Sequence, residues 1–291
     1  MRFSVVIATR GRPDDLRQTL AGLRALDPPP AEVVVVDGDA ARSAEPVADA
    51  ALGERMPLRY LPSAPGLTRQ RNLGVREAEG DVVVFLDDDV EVDSRLLGVL
   101  DAAYRDPSVV GATGLVIEAG ERRFGNKRSL VRRLLFGQQA EGTLTRFGYP
   151  RRLQDAESER DVELMQGCLM SARREQAAKV GFDERLPGYG LAEDEDFSYR
   201  LSRLGRVRYL PGAVVHHKNT GFRSTGTRSF NRTVVVNRAY LFRKNFPQTP
   251  SARAGFAGLV LVLIAHRAVN REWDGVRGLV DGSLAAWRQA R

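Results

Sequence analysis

The stretch VVVFLDDDVEVD, residues 82–93, runs five apolar residues directly into three consecutive aspartates. An apolar run without polar alternation is typical of a strand that is covered on both faces, as in a parallel sheet. Three adjacent carboxylates repel one another and gain nothing from burial, so a cation or a chemical role is needed to account for them. The stretch therefore predicts an α/β protein with a polar site where this strand ends.

Short β-branched runs alternate with helical patterns on both sides of this stretch. Strands are predicted at residues 2–8, 32–38, 57–61 and 81–89, and helices at residues 13–26, 43–52 and 66–79. Further along, LAEDEDFSYRLSRLG is predicted to be a helix and VRYLPGAVVHHK to form one or two short strands. The alternation indicates βαβ units and a Rossmann-like, mostly parallel sheet flanked by helices.

The second half of the chain departs from this rhythm twice. Residues 121–152 are basic and poorly periodic, and we interpret them as an insertion near a site, on its acceptor side. Beyond about Thr225 the pattern is helical, which predicts a catalytic domain at 1–225 and a C-terminal helical region at 226–291. Its apolar stretch, residues 254–269, is interrupted by His266 and Arg267, so we expect a buried or interfacial helix and not a membrane span.

Composition bounds the class of protein. The chain has 291 residues, of which 43% are hydrophobic and 28% charged, and this suits one large core with or without an appendage. The single cysteine, Cys168, cannot form an internal disulfide, and the N-terminus lacks the apolar core of a secretory signal, so we expect a cytoplasmic protein. A formal net charge of +7 favours an anionic partner: nucleic acid, a phosphorylated small molecule or an acidic membrane face.

Polar residues follow three of the predicted strands, and ligands of an open parallel sheet bind outside the carboxyl ends of its strands. They are Thr9 and Arg10, Asp37, and the aspartates at 87–89. In an extended segment Asp87 and Asp89 point to the same side and Asp88 to the opposite side. Two carboxylates on one side suit Mg²⁺ or Mn²⁺, whereas the alternative is that the aspartates only cap the next helix.

The loop after the first strand, ATRGRPDD, matches neither a G-x-G-x-x-G turn nor a G-x-x-x-x-G-K-[ST] loop. Instead, six segments in order resemble the motif series of family 2 glycosyltransferases with the GT-A fold, over roughly residues 2–218. These segments are SVVIATRGRPDDLRQTL, EVVVVDG, GLTRQRNLGVREAEGDVVVFLDDDV, GFDERL, LAEDEDFSYRL and LPGAVVHHK.

The resemblance implies a role for individual positions. The D-x-D motif of the family falls on Asp87 and Asp89, which places Asp87 near the ribose or diphosphate and Asp89 on Mn²⁺ or Mg²⁺. The late histidine, a second metal ligand, falls on His217, and the E-D pair falls on Glu193 and Asp194, with Asp194 as catalytic base and Glu193 in support. The positions assigned to donor or nucleotide binding are Thr9, Arg10, Asp37, Arg71, Asn72, Asp87 and Asp88. Of these, Asp37 is expected to contact the nucleobase and Arg71 the phosphate.

The helical pattern agrees with the choice of base. Asp194 is in phase with Phe197 and Leu201, so it lies on the face turned toward the core. Asp196 precedes Arg200 by one turn, which favours a local ion pair, and the alternative for the whole acidic run is that it complements the helix dipole.

The remaining histidines and the cysteine are given less specific roles. His216 and His217 point to opposite sides of a strand, so at most one of them faces a metal. We expect His266 to be structural and Cys168 to be a small buried hydrophobic residue.

The resemblance implies a metal-dependent inverting glycosyltransferase that uses a UDP-, GDP- or dTDP-sugar. A sugar nucleotidyltransferase is the nearest alternative, but ATRGRPDD is a poor version of its glycine-rich basic loop. A nucleic-acid-binding protein is the other alternative, and we expect no nucleic-acid partner because no aromatic platform accompanies the basic residues.

The basic insertion carries nine cationic residues with five apolar ones interleaved, a mixture that suits anionic headgroups. We therefore expect a glycan or lipid-linked acceptor and peripheral binding to the inner face of the cell membrane, as in cell-envelope polysaccharide synthesis. The alternative for the apolar C-terminal stretch is packing on the catalytic domain or a homodimer interface. The cationic positions are Arg122, Arg123, Lys127, Arg128, Arg132, Arg133, Arg146, Arg151 and Arg152.

Overall fold

The computed structural model describes residues 1–51, 56–119, 140–153, 156–186, 189–218 and 227–288. The chain divides into two compact units. The sheet unit comprises Met1–Phe124 and Leu153–Thr220, and the helical unit comprises Gly125–Arg152 and Gly221–Arg291.

The sheet unit follows the predicted alternation of strands and helices. Its elements are β1 Phe3–Thr9, α1 Pro13–Leu23, β2 Glu32–Asp37, α2 Glu45–Ala51, β3 Leu58–Pro62, α3 Leu67–Glu77, β4 Val82–Asp87, β5 Val90–Val92, α4 Leu96–Tyr104, β6 Val109–Glu118, β9 Arg160–Val162, β10 Leu169–Arg173, α5 Arg174–Val180, α6 Glu193–Leu201 and β11 Arg206–His217. The elements of the helical unit are β7 Thr143–Leu144, β8 Pro150–Arg151, α7 Arg228–Asn245, α8 Pro250–Val269 and α9 Trp273–Arg288.

The strands form one mixed sheet in the order β3-β2-β1-β4-β10-β6-β11-β5, and β9 pairs with β11. The pairs β1–β2, β1–β4, β2–β3 and β6–β11 are parallel, whereas β10, β5 and β9 run antiparallel to their partners. The prediction of a mostly parallel sheet with a C-terminal helical appendage is confirmed.

Helices cover both faces of this sheet, which explains the apolar runs in its central strands. All six residues of β2 are buried, as are the five apolar residues of β4. Leu16, Leu20 and Leu23 of α1 pack in the hydrophobic cluster of one face, and Phe85, Phe182 and Phe197 pack in that of the other face. Because the core lies on both faces, polar groups are left at the strand ends.

β11 is a single strand of 12 residues with an irregularity in its pairing to β6. The register shifts between Leu210 and Val214, a stretch that contains Pro211, which has no N–H to donate. Gly114 of β6 lies opposite, and a Cβ atom there would be 1.9 Å from the carbonyl oxygen of Ala213. The sequence predicted one or two short strands here, and the bulge allows one strand to reach His217.

In the helical unit, the described end of the basic insertion packs against the C-terminal helices. The side chain of Phe147 lies in a cluster with Phe242, Ala252 and Leu259, and Arg238 stacks over the ring of Tyr149 at 5.1 Å. Residues 140–152 therefore belong with these helices and not with the sheet, which differs from the predicted domain boundary. Arg122, Arg123, Lys127, Arg128, Arg132 and Arg133 lie outside the described residues.

By length and composition, α8 could cross a membrane. It has 20 residues, and its most apolar 18-residue window has a mean hydropathy of 1.5 with 11% of that window buried. Buried helices of soluble proteins also meet this criterion. The described residues thus leave much of an apolar helix uncovered by the protein itself.

Candidate active site

Asp87, Asp89 and His217 form a cluster whose candidate ligand atoms all lie within 4.8 Å of one another. His217 Nε2 is 3.2 Å from Asp89 Oδ1 and 3.9 Å from Asp87 Oδ2. The pairing of β11 with β5 places His217 opposite Val90 and so brings it beside the aspartates. The sequence predicted this grouping, including the choice of His217 over His216, whose side chain is exposed.

The donor set fits a divalent cation. Carboxylate oxygens suit Mg²⁺ and Mn²⁺, and the added imidazole favours Mn²⁺, because Mg²⁺ strongly prefers oxygen ligands. Burial opposes a charge on His217, but hydrogen bonds with Asp89 and Glu118 outweigh it and raise the pKa of His217 to about 10. The imidazole therefore has to lose a proton when it coordinates a metal.

Asp88 and Asp89 lie in the turn between β4 and β5 and not in an extended strand, so the predicted alternation of side chains does not apply to them. The Asp88 carboxylate accepts hydrogen bonds from Thr9 Oγ1 and from Arg12 Nη1, both at 2.7 Å. Burial raises the pKa of Asp88 to about 7, although Thr9 and Arg12 oppose the shift. In this structure Asp88 ties the end of β4 to the end of β1, and its assignment to donor binding stays a prediction.

Arg12 is a residue of the site that sequence reasoning missed. Its guanidinium donates to Asp88 Oδ1 and to Asp89 Oδ2, each at 2.7 Å, and to Asp15 at 3.2 Å. The only sequence signal was its place in TRGRP, directly before the proline that begins α1. One cation thus compensates two buried carboxylates at the strand end.

Arg71 joins the metal cluster to the acidic helix. Its side chain is 2% exposed, and it contacts Glu193 Oε1 at 2.5 Å, Asp87 Oδ1 at 3.1 Å and the carbonyl oxygen of Gly167 at 2.8 Å. Burial opposes the charge, but Glu193 and Asp87 outweigh it and raise the pKa of Arg71. The predicted contact of Arg71 with phosphate stays a prediction, because the partners of its guanidinium described here are protein groups.

The E-D pair lies in the first turn of α6, and both side chains are buried. A Cβ atom on Gly167 would lie 3.6 Å from Asp194 Oδ2 and 3.5 Å from Glu193 Oε1, so the two carboxylates border the same backbone segment. Burial raises the pKa of Glu193 to about 8, and Asp194 contributes to this shift. Asp196 Oδ2 contacts Arg200 at 2.6 Å, which confirms the predicted local ion pair.

The other predicted donor-binding residues occupy different surroundings. Asp37 is fully buried and accepts hydrogen bonds from the backbone N–H of Asp39 and from Tyr60 Oη, both at 2.8 Å. Asn72 exchanges hydrogen bonds with the backbone of Phe182 at 2.9 and 2.7 Å, so it anchors the loop after α5. The hydroxyl of Thr9 donates a hydrogen bond to Asp88, which places Thr9 beside the site. The side chain of Arg10 is exposed. Their roles toward a nucleotide stay predictions.

Two residues with less specific assignments can also be placed. Cys168 is buried, as expected, and burial raises its pKa. His266 is exposed on α8, and its ring lies near the amide of Asn270.

The sheet and the residues at its edge define a GT-A-type α/β protein with a candidate metal site. Residues 4–180 match the family described as glycosyl transferase family 2. Because this match spans more than half of the chain, the protein belongs to glycosyl transferase family 2.

Among curated proteins, the pre-mycofactocin glycosyltransferase of Mycobacterium tuberculosis is 30% identical over 220 residues, which cover 74% of this chain and 42% of the relative. The chain thus spans about two fifths of the length of the curated relatives that it matches.

Solved structures resemble the whole fold at lower identity. A mannosyltransferase from Pyrobaculum calidifontis in complex with GDP-Man and Mn²⁺ has a TM-score of 0.62 at 15% identity, covering 100% of this chain and 88% of that one. S. aureus TarS in complex with UDP-GlcNAc has a TM-score of 0.59 at 15% identity, covering 100% and 93%. Likeness at these identities concerns the fold, and it confirms the GT-A prediction.

Proposed function

We propose that this protein is a metal-dependent, inverting glycosyltransferase that moves a sugar from a nucleoside-diphosphate sugar to an acceptor hydroxyl. The observation that carries the proposal is that Arg71 contacts both Asp87 of the candidate metal cluster and Glu193, the residue next to the candidate base Asp194. Family membership supports the reaction class. The GDP-Man and UDP-GlcNAc complexes of the similar structures support a nucleotide-sugar donor.

The chain supplies a proton acceptor and a metal-holding group. Asp87, Asp89 and His217 would hold Mn²⁺ or Mg²⁺, and the ion supplies positive charge to the departing diphosphate. Asp194 accepts the proton of the acceptor hydroxyl. A bond then forms between the acceptor oxygen and the anomeric carbon while the bond from that carbon to the diphosphate breaks. A single displacement of this kind needs no carboxylate nucleophile and inverts the anomeric configuration.

A panel of donors tests this function. The purified protein is incubated with UDP-, GDP- and dTDP-sugars plus Mn²⁺, and release of the nucleoside diphosphate is followed over time. We expect slow hydrolysis of one donor class, and we expect chelation of the metal to abolish it. Release of pyrophosphate from a sugar phosphate and a nucleoside triphosphate would instead favour a sugar nucleotidyltransferase, and salt-sensitive oligonucleotide binding without hydrolysis would favour a nucleic-acid-binding protein.

We further propose that the acceptor is a glycan, and that a lipid-linked saccharide is the first acceptor to test. We also propose that the helical unit docks on an anionic membrane. Its sequence contains 19 Lys and Arg against 4 Asp and Glu, a formal net charge of +15. The whole chain carries +7, so the sheet unit carries the difference, −8. Each Lys or Arg near an anionic surface contributes roughly 1 kcal/mol to binding.

An exposed apolar stripe on α9 also supports docking of the helical unit on a membrane. Trp273, Val280, Leu284 and Trp287 are 59%, 43%, 54% and 54% exposed, and their spacing of seven, four and three residues places them on one helix face. Tryptophans at both ends of such a stripe suit a membrane interface, where an indole meets headgroups and acyl chains together. On α8, Leu261 and Val269 are also exposed, at 65% and 83%.

Vesicle sedimentation tests the docking. We expect binding to phosphatidylglycerol vesicles at low salt, release at high salt, and weaker binding of Trp287→Ala. Leu204→Ala, which removes an exposed apolar side chain from the sheet unit, is the matched control. Equal and negligible binding to anionic and neutral vesicles would make a soluble acceptor the better proposal. Concentration-dependent dimers that Trp287→Ala disrupts, without vesicle binding, would assign the stripe to a homodimer.

A further inference from the structure

Glu118 is a carboxylate beside the metal cluster that no part of the proposed mechanism uses. It is the last residue of β6 and pairs in register with His217, the last residue of β11. Its Oε2 atom lies 2.9 Å from His217 Nδ1. The two strands hold this contact in place, because the backbone N–H of Ala119 donates to the carbonyl oxygen of His217 at 2.9 Å.

The contact involves the ring nitrogen that faces away from the metal cluster. Nε2 is the atom that lies near Asp89 and Asp87, whereas Nδ1 meets Glu118. An ionised carboxylate only accepts hydrogen bonds, so it holds a proton on Nδ1. Nε2 then carries the lone pair when His217 is neutral, and this is the form in which an imidazole binds a metal.

Two simpler explanations of Glu118 fit less well. It is not one of the three residues whose ligand atoms approach one another within 4.8 Å, so it is not placed as a direct ligand. It is not a surface ion pair with Lys or Arg either, since among the described residues His217 is the partner found for its carboxylate. At 26% exposure the side chain is also more enclosed than a freely solvated glutamate.

We propose that Glu118 is a positioning residue that orients His217 for metal binding, an inference that rests on the proposed function. A carboxylate behind a ligating histidine fixes the ring orientation and raises the basicity of the ligand nitrogen. Loss of such a partner typically lowers metal affinity by about 10- to 100-fold. Glu118 thereby extends the site to the end of a strand that the family motifs do not include.

Binding of Mn²⁺ to the metal-free full chain tests the inference, followed by the electron paramagnetic resonance signal of free Mn²⁺. We expect Glu118→Ala to lower affinity about 10- to 100-fold. Glu118→Gln, whose amide oxygen still accepts from Nδ1, should lose less. Glu91→Ala is the matched control, because Glu91 lies on β5, pairs in register with His216 and contacts Lys218. It should bind Mn²⁺ as the unmodified protein does.

A double-mutant cycle distinguishes positioning from a general loss of structure. If Glu118 acts through the imidazole, Glu118→Ala should have no further effect on Mn²⁺ affinity once His217→Ala is present. If Glu118→Ala does not fold, Glu118→Met, which keeps the length of the side chain, replaces it. Equal affinities for the Glu118 and Glu91 variants would overturn the inference, whereas an unmodified protein that binds no Mn²⁺ would overturn the proposed metal site itself.

Discussion

Arg71 of α3 donates a hydrogen bond of 2.5 Å to Glu193 of α6, across 122 residues of sequence and in the interior of the sheet unit. The same guanidinium contacts Asp87, so one buried cation connects the aspartates after β4 to the acidic first turn of α6. Several carboxylates brought this close repel one another, and Arg71 provides the compensating charge.

Removal of Arg71 should therefore destabilise the protein strongly. Breaking a buried ion pair by removing one partner typically costs about 3–5 kcal/mol, because the remaining charge is buried without compensation. We expect Arg71→Met to lower the free energy of unfolding in urea by about this amount above pH 8, where Glu193 is ionised, and by less at lower pH. Arg69→Ala is the control, since Arg69 is 51% exposed and contacts the exposed Glu184, and it should change stability by less than about 1 kcal/mol. Similar losses in both variants would contradict the role of Arg71.

The raised pKa of Glu193 predicts a pH dependence of stability. Its pKa is about 8 in the folded protein against an ordinary value of 4.5, so between these values the folded state holds a proton that the unfolded chain has released. The contribution of Glu193 to stability is therefore fully present below pH 4.5 and is lost as pH rises toward 8. We expect Glu193→Gln to flatten the decline of unfolding free energy over this range, measured by urea titration at each pH. An unchanged slope would show that Glu193 is not the group responsible.

The fold was predictable because its signals are local. Apolar runs such as those of β2 and β4 identify buried strands. The alternation expected for residues 87–89 was wrong, because Asp88 and Asp89 form a turn after β4. The ordered motifs selected His217, which lies beside Asp89, and Asp194, whose role as catalytic base stays a prediction.

Other contacts depend on register and packing between distant segments, which no local pattern encodes. Glu118 reaches His217 through the register of β6 with β11, which a bulge shifts, and Arg12 reaches Asp89 across 77 residues. The grouping of residues 140–152 with the C-terminal helices depends on the packing of Phe147.

The close approach of β6 and β11 makes a prediction about Gly114. Gly114→Ala would place a Cβ atom 1.9 Å from Ala213 O, so the strands have to separate near the bulge. Overpacking of this kind typically costs about 1–3 kcal/mol. Gly98→Ala is the control. Gly98 lies in helix α4, and a Cβ atom there would be 3.6 Å from its nearest neighbour, which is an ordinary van der Waals contact. Thermal unfolding should show a clear loss in the first variant and none in the second.

The metal cluster predicts a linked loss of metal and diphosphate binding. Asp89→Ala removes a buried candidate ligand, so Mn²⁺ dependence of donor hydrolysis and affinity for a nucleoside diphosphate should both weaken. His217→Ala should act in the same direction but less strongly. Calorimetric titration with the diphosphate at several Mn²⁺ concentrations measures both effects, with Asp93→Ala as a control outside the cluster. An unchanged metal requirement in Asp89→Ala would refute the cluster as a metal site.

The central claim is that Asp194 accepts the proton of the acceptor hydroxyl, and the turnover of Asp194→Asn tests it most directly. General-base catalysis typically contributes about 10²- to 10⁴-fold in rate, so transfer should fall by at least that factor. Donor affinity should stay near that of the unmodified protein, because the substitution changes proton acceptance and leaves the metal cluster intact. Glu195→Gln, at the next position of the same helix, serves as the control. Retention of more than about a tenth of the turnover in Asp194→Asn would contradict the assignment of the base.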